Sequence, residues 1–170
     1  MKTPLKVLIL CTGNSARSII GEYLLRVRGK GRFEVHSAGA KPTGRVNPLA
    51  VRVLKERYNI DANDARSKSW DEFKDVKFDF VVTVCDNAKE SCPIWPGQPV
   101  VGHWSSPDPA GIEGSEDEKY RAFVNVASQI ARRVDLFCAF RDEQLAQFRV
   151  KDLQQIADET KLAGEETMAR

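Results

Sequence analysis

Apolar and polar positions along this chain change their spacing repeatedly. Val7, Leu8, Ile9 and Leu10 form an unbroken apolar run, which predicts a buried strand over 5–10. From about 18 to 28 the period lengthens, and Ile19, Ile20, Tyr23, Leu24 and Val27 fall on one face of a predicted helix. A second strand is predicted over 33–37. Asn47 followed by Pro48 supplies a cap and a first-turn proline, launching a helix to about Tyr58. The run from Phe80 to Val84 reads as a third strand buried on both faces, and 100–102 as a fourth. A long helix is predicted from about Ser115 to Cys138, its opening Ser115 and Glu118 having capping-box form. Strands alternating with helices predict an α/β fold, a parallel sheet joined by right-handed crossovers with helices on both faces. The chain shows no internal repeat or low-complexity segment.

The turn after the first strand carries the densest chemistry. Residues 11–18 read Cys-Thr-Gly-Asn-Ser-Ala-Arg-Ser, so a cysteine sits where a buried strand opens into a helix. Five residues between Cys11 and Arg17 allow the backbone N–H groups of Thr12, Gly13, Asn14, Ser15 and Ala16 to curl around one tetrahedral oxyanion. Gly13 and Asn14 are expected to supply the positive φ of that curl, and Arg17 to grip two oxygens at once. The same field favours Cys11 as a thiolate, with a pKa well below the free value of roughly 8.5, and Ser18 adds a hydroxyl donor to the sulfur.

A second pair of cysteines follows the third strand. Cys85 and Cys92 enclose six residues, a wider spacing than the about two to four residues of metal-binding cysteine motifs. A disulfide needs Cα atoms roughly 4.4–6.8 Å apart, and a helix would hold this pair farther apart, so the segment is expected to be a loop or to unwind.

Composition narrows the setting. At 170 residues, with 42% hydrophobic and 29% charged residues, one well-packed domain is expected. The 26 basic and 24 acidic residues are interspersed, which argues against a nucleic-acid footprint and confines anion binding to a local site. The apolar stretch before Cys11 is too short for a signal peptide or a membrane span, so the cytoplasm is the expected compartment and no membrane partner is expected. Four cysteines there indicate redox or catalytic chemistry rather than a disulfide scaffold.

Cys11, Arg17 and Ser18 in this spacing resemble the low-molecular-weight protein tyrosine phosphatase superfamily, and Cys-Thr-Gly-Asn-Ser resembles its thioredoxin-coupled arsenate reductase branch. The resemblance runs from about Lys6 to Phe137. It departs at Ala16, where several such reductases carry a further cysteine outside their relay. It implies strand order 2-1-3-4, which brings the ends of strands 1 and 3, and so Cys11 and Cys85, to one crevice. It implies that residues 1–140 form the phosphatase-like domain; residues 141–170 extend beyond it, where Leu145, Phe148, Leu153 and Ile156 predict an amphipathic continuation of the last helix, and Gly164 with the polar end predicts fraying. It further implies that Cys85 and Cys92 are resolving cysteines and that Asp108, in a turn-rich stretch after His103 and Trp104, is the general acid. Arsenate is the implied substrate, thioredoxin the implied reductant, with glutaredoxin and glutathione as the alternative, and the expected state is a monomer. Some reductases of this branch hold potassium; Asn14 and Glu22 match two of its ligands, but the later pair aligns with Arg66 and Lys68. The Lys68 ammonium is therefore expected where the cation would be, with no bound metal and no bound cofactor.

Two other readings compete. A phosphatase acting on phosphomonoesters through a Cys11 phosphocysteine would use Cys11, Arg17 and Asp108 without Cys85 or Cys92. A phosphocarrier would need neither Arg17 nor Asp108. Outside these residues, Cys138 reads as a packing residue on an apolar helix face. His36 and His103 read as hydrogen-bonded structural groups. Trp70, Trp95 and Trp104 read as core or loop anchors, one of them bordering the substrate mouth.

Overall fold

A computed structural model describes residues 2–161. Four parallel strands, β1 (Leu5–Cys11), β2 (Phe33–Gly39), β3 (Phe80–Thr83) and β4 (Val100–His103), form one sheet in the order β2-β1-β3-β4. Successive side chains of a strand point to opposite faces. Val7, Leu8, Ile9 and Leu10 are all at most 2% exposed, as are Phe80 to Thr83, so both faces of the central strands are covered. The doubly covered parallel sheet expected from the alternation of elements is thus the fold observed.

Helix α1 (Arg17–Arg28) follows β1, and α2 (Pro48–Tyr58) follows β2. The Asn47 side chain accepts from Leu49 N at the start of α2, the cap that Asn-Pro predicts. Val27, expected on the buried face of α1, instead stands 52% exposed: the buried residues of α1 end at Leu25. The six-residue α3 (Asp86–Ser91) follows β3, and a 24-residue α4 (Glu116–Ala139) packs against α1 and α2. Ser115 caps α4 by accepting from Glu118 N at 3.2 Å.

The chain after α4 does not prolong that helix. It turns at Phe140 into a short α5 (Asp142–Leu145) and then α6 (Val150–Glu159), which lies against β4. Leu145, Leu153 and Ile156 are buried, so the amphipathic pattern is real but covers the sheet edge rather than extending α4. The fraying expected around Gly164 concerns residues outside those described.

Candidate active site

The loop between β1 and α1 is shaped by what its carbonyls do. Thr12 O accepts from Lys41 N, Gly13 O from Thr43 N and the Ser67 hydroxyl, and Ser15 O from Asn47 N, at 2.8 to 3.0 Å. Carbonyls committed to outside donors leave the opposite edge of the backbone, its N–H groups, free to face inward. The Asn14 amide does so, donating to Cys11 Sγ at 3.2 Å. Ala16 caps α1 without a side-chain hydrogen bond, so no side chain takes up the first N–H groups of that helix.

Only one residue of the loop adopts the positive φ expected of two. Asn14 has φ 47°, whereas Gly13 is not left-handed; a Cβ at Gly13 would lie 3.1 Å from Thr43 Cγ2, so its role is close approach. Asn14 is fully buried and fully satisfied. Its Nδ2 donates to Ser18 Oγ at 2.8 Å and to Ser37 Oγ at 3.0 Å, while its Oδ1 accepts from Lys68 N and Nζ at 3.0 and 3.3 Å. Ser18 Oγ, having accepted from Asn14, keeps its own proton for Cys11 Sγ 2.8 Å away. The Cys11 sulfur therefore has two donors aimed at it, the Ser18 hydroxyl and the Asn14 amide.

Behind the loop lies a buried polar cluster that includes Lys68. Its ammonium donates to Asn14 Oδ1, Ser37 Oγ and Arg66 O, and stands 3.7 Å from Glu22 Oε1. Ser37 donates in turn to Glu22 at 2.9 Å. Burial holds the Lys68 ammonium below its ordinary pKa range, against the opposing pull of Glu22.

Cys11, Thr12, Gly13, Ser15, Ala16 and Arg17 line a pocket of about 460 Å³ together with Cys85, Asp86, Asn87, Asp108 and Ala110. Asn14 and Ser18 are not among the lining residues: the Asn14 side chain braces the loop from behind, and Ser18 Oγ stands against Cys11 Sγ, the contact expected of it. Arg17 Nη1 donates to Ser106 O at 2.8 Å and reaches Val84 O at 3.5 Å, which docks one arm of the guanidinium on the far wall. Asp108 faces this pocket from the turn after β4, with its Oδ1 accepting from Ala110 N at 3.0 Å.

Cys85 enters the same pocket because β3 lies beside β1. Its sulfur accepts from Thr12 N at 3.2 Å and lies 3.3 Å from Thr12 Oγ1. Cys85 and Cys92 are the residues flanking α3, so of the two expected alternatives, a loop or a segment that must unwind, the structure shows the second, a short helix. Seven helical steps of about 1.5 Å rise span roughly 10 Å, beyond disulfide reach, so joining the two requires α3 to unwind. Burial pushes the Cys92 thiol up; the neighbouring Trp95 indole opposes this weakly, since its N–H makes no well-formed hydrogen bond. All four cysteines are free thiols.

His103 places Nε2 2.9 Å from Asp86 Oδ1 and Nδ1 2.7 Å from Thr83 Oγ1, so both ring nitrogens are hydrogen-bonded. His36 pairs with Glu34. Cys138 is half-buried against the core, and burial raises its pKa. Trp95 and Trp104 are buried anchors and Trp70 is half-buried, but none of the three lines the pocket. Residues that sequence reasoning passed over are Ser37, Gly39 and Ser67. A Cβ at Gly39 would lie 2.5 Å from Thr12 O and 3.0 Å from Asn14 N, so only glycine lets β2 carry the loop. A glycine ending a strand beside the loop was the available signal.

Residues 6–147 match the family of the low molecular weight phosphotyrosine protein phosphatases. The chain is 38% identical over 134 residues to an arsenate reductase of Oceanobacillus iheyensis, covering 77% of this chain and 93% of that one. An arsenate reductase structure from Archaeoglobus fulgidus superposes with a TM-score of 0.63 at 31% identity, covering 79% of this chain and 99% of that one. A thioredoxin-dependent arsenate reductase of Corynebacterium glutamicum gives a TM-score of 0.53 at 25% identity, covering 81% of this chain and 65% of that one. With the Cys11 to Arg17 loop, the strand order and the family match in agreement, the chain belongs to the low molecular weight phosphotyrosine protein phosphatase family.

Proposed function

We propose that this protein reduces arsenate to arsenite through a relay of Cys11, Cys85 and Cys92, regenerated by thioredoxin. Arsenate sits against the loop amides and Arg17. The Cys11 thiolate attacks arsenic; an S–As bond forms and one As–O bond breaks, the oxygen leaving as water with a proton from Asp108. The Cys85 thiolate then attacks Cys11 Sγ, and the electron pair of the S–As bond passes to arsenic, which departs as arsenite. Cys92 attacks Cys85, freeing Cys11 and leaving a Cys85–Cys92 disulfide, which the thioredoxin dithiol reduces by exchange. A thioredoxin potential of about −270 mV suits that last step.

The observation that carries this reading is Cys85 beside Thr12 in the Cys11 pocket, with Cys92 at the other end of the same short helix. A phosphatase needs neither cysteine. The test is arsenite production from arsenate with thioredoxin, thioredoxin reductase and NADPH, with glutaredoxin and glutathione as a separate arm. Multiple turnovers with thioredoxin are expected; none with either reductant would overturn the reading. Cys11, Arg17 and Asp108 alone suffice for slow aryl phosphate hydrolysis, which is expected as a side activity because the two oxyanions are near-isosteric.

The proposed working form is a monomer in the cytoplasm, without resident cofactor or metal. No helix among the described residues is long and apolar enough to cross a membrane. Lys68, seated among Asn14, Ser37 and Glu22, supplies the positive charge that a cation would bring there.

A further inference from the structure

Helix α6 lies beyond the residues that match the family, yet its contacts converge on the active-site wall. It is fitted to β4. A Cβ at Gly102 would lie 2.6 Å from Leu153, and the Trp104 indole donates to Leu153 O at 2.9 Å. The Gln154 amide brackets His103, its Oε1 accepting from His103 N at 3.1 Å and its Nε2 donating to His103 O at 2.9 Å. That pair of bonds is what a neighbouring strand would offer an edge residue.

The last turn of α6 reaches further. Thr160, 2% exposed, accepts at Oγ1 from Arg133 Nε at 2.8 Å and donates to Ile156 O. Arg133, 1% exposed, donates from Nη1 to Ser105 O at 2.8 Å and to the Ser106 hydroxyl at 3.1 Å. Ser106 O receives Arg17, and Asp108 is two residues on. A continuous hydrogen-bonded path therefore runs from α6 through Arg133 to the turn that carries the acid.

We propose that α6 is a strap that positions the acid turn, acting through the buried contact between Thr160 and Arg133. Thr160 and Arg133 are positioning residues. This rests on the reading of Asp108 as the general acid. Sheet-edge cover by Leu153 and Gln154 is a separate contribution of the same helix, and the two are separable by experiment.

The test uses the full chain and kcat/KM for p-nitrophenyl phosphate and phenyl phosphate, since this quantity reports formation of the phosphocysteine. A poor leaving group depends on the acid more than a good one, so displacement of Asp108 lowers the phenyl to p-nitrophenyl ratio, whereas a change in anion affinity lowers both alike. Thr160→Val is expected to lower that ratio about tenfold, a fraction of the effect of removing the acid. Thr160→Ser should restore it. Ile156→Val, which trims α6 packing without touching Arg133, should leave it unchanged. Asp108→Asn should lower the ratio further, and Thr160→Val in that background should add nothing, because the two act through one group. Exchange of the Ala110 amide with deuterium should quicken in Thr160→Val and not in Ile156→Val. An equal loss on both substrates, a selective loss that persists in Asp108→Asn, or the same loss in Ile156→Val overturns the strap. An unchanged ratio in Asp108→Asn overturns the acid reading itself, and the strap with it.

Discussion

The two cysteine-bearing segments that meet in the pocket are built in opposite ways. The loop over 11–18 is held by donors from residues 41–47 and Ser67, and its Asn14 has every polar side-chain atom satisfied while fully buried. The segment over 85–92 is a six-residue helix with only Ala88 buried within it, no side-chain cap at Cys85, and a tie to the sheet from Asp86 to His103. A helix that short is marginal in isolation. The difference matches the chemistry each must do: an anion-binding loop gains from donors fixed before the substrate arrives, whereas a disulfide relay needs a segment that opens at little cost.

The sharpest way to break the comparison is at the rigid loop. Cys11→Ser is expected to lower arsenate turnover by at least ~10⁴-fold and Arg17→Ala by about 10³-fold, by loss of the nucleophile and of the charge that grips the anion. Steady-state arsenite assays check both, and surviving turnover would relocate the active site. Cys138→Ser should stay within a few-fold of the parent.

At the short helix, Cys92→Ser should release one arsenite per enzyme and then stop with a Cys11–Cys85 disulfide, identifiable by peptide mapping. Cys85→Ser should release none by this route, while phenyl phosphate hydrolysis persists in both. Sustained turnover of Cys92→Ser with thioredoxin would leave Cys92 a bystander.

Smaller changes should sharpen the same contrast. Gly39→Ala forces a methyl against Thr12 O and should lower stability by about 1–3 kcal/mol, with weaker sulfate binding, both read by thermal melts with and without sulfate. Glu90→Ala, on the exposed face of α3, should stay within about 0.5 kcal/mol of the parent. If the two substitutions proved equally mild, the loop would not be the rigid partner.

The smallest effect is an expected absence. Exchange of potassium for sodium at constant ionic strength should leave the melting temperature and sulfate affinity unchanged, because the Lys68 ammonium already fills the space between Asn14, Ser37 and Glu22. A potassium-specific rise in melting temperature would show selective binding to the native state and refute that assignment.

Much of the site was legible in order along the chain. The spacing of Cys11 and Arg17 between an apolar run and a helical pattern marks an oxyanion loop because curl, nucleophile and charge are all local. The Asn47 and Ser115 caps were legible for the same reason, since a cap bonds within its own first turn. Val27 was misplaced because periodicity assigns a face without knowing what packs against each turn of it. The conformation of 85–92 was left open between a loop and a helix that unwinds, because a six-residue stretch with one apolar residue, Ala88, carries no strong signal for either.

By itself the sequence determined the alternation of strands and helices, the anion loop and the residue types its chemistry needs, because these depend on spacing within a few residues. Tertiary structure decided what lies beside what. Placing β3 next to β1 put Cys85 against Thr12, and packing β2 on the other side brought Ser37, Gly39 and Lys68 behind the loop. It also decided that the apolar face of α6 covers β4 and that Thr160 meets Arg133. An amphipathic stripe records that a face is to be buried, and the partner that buries it is chosen only when distant segments pack together.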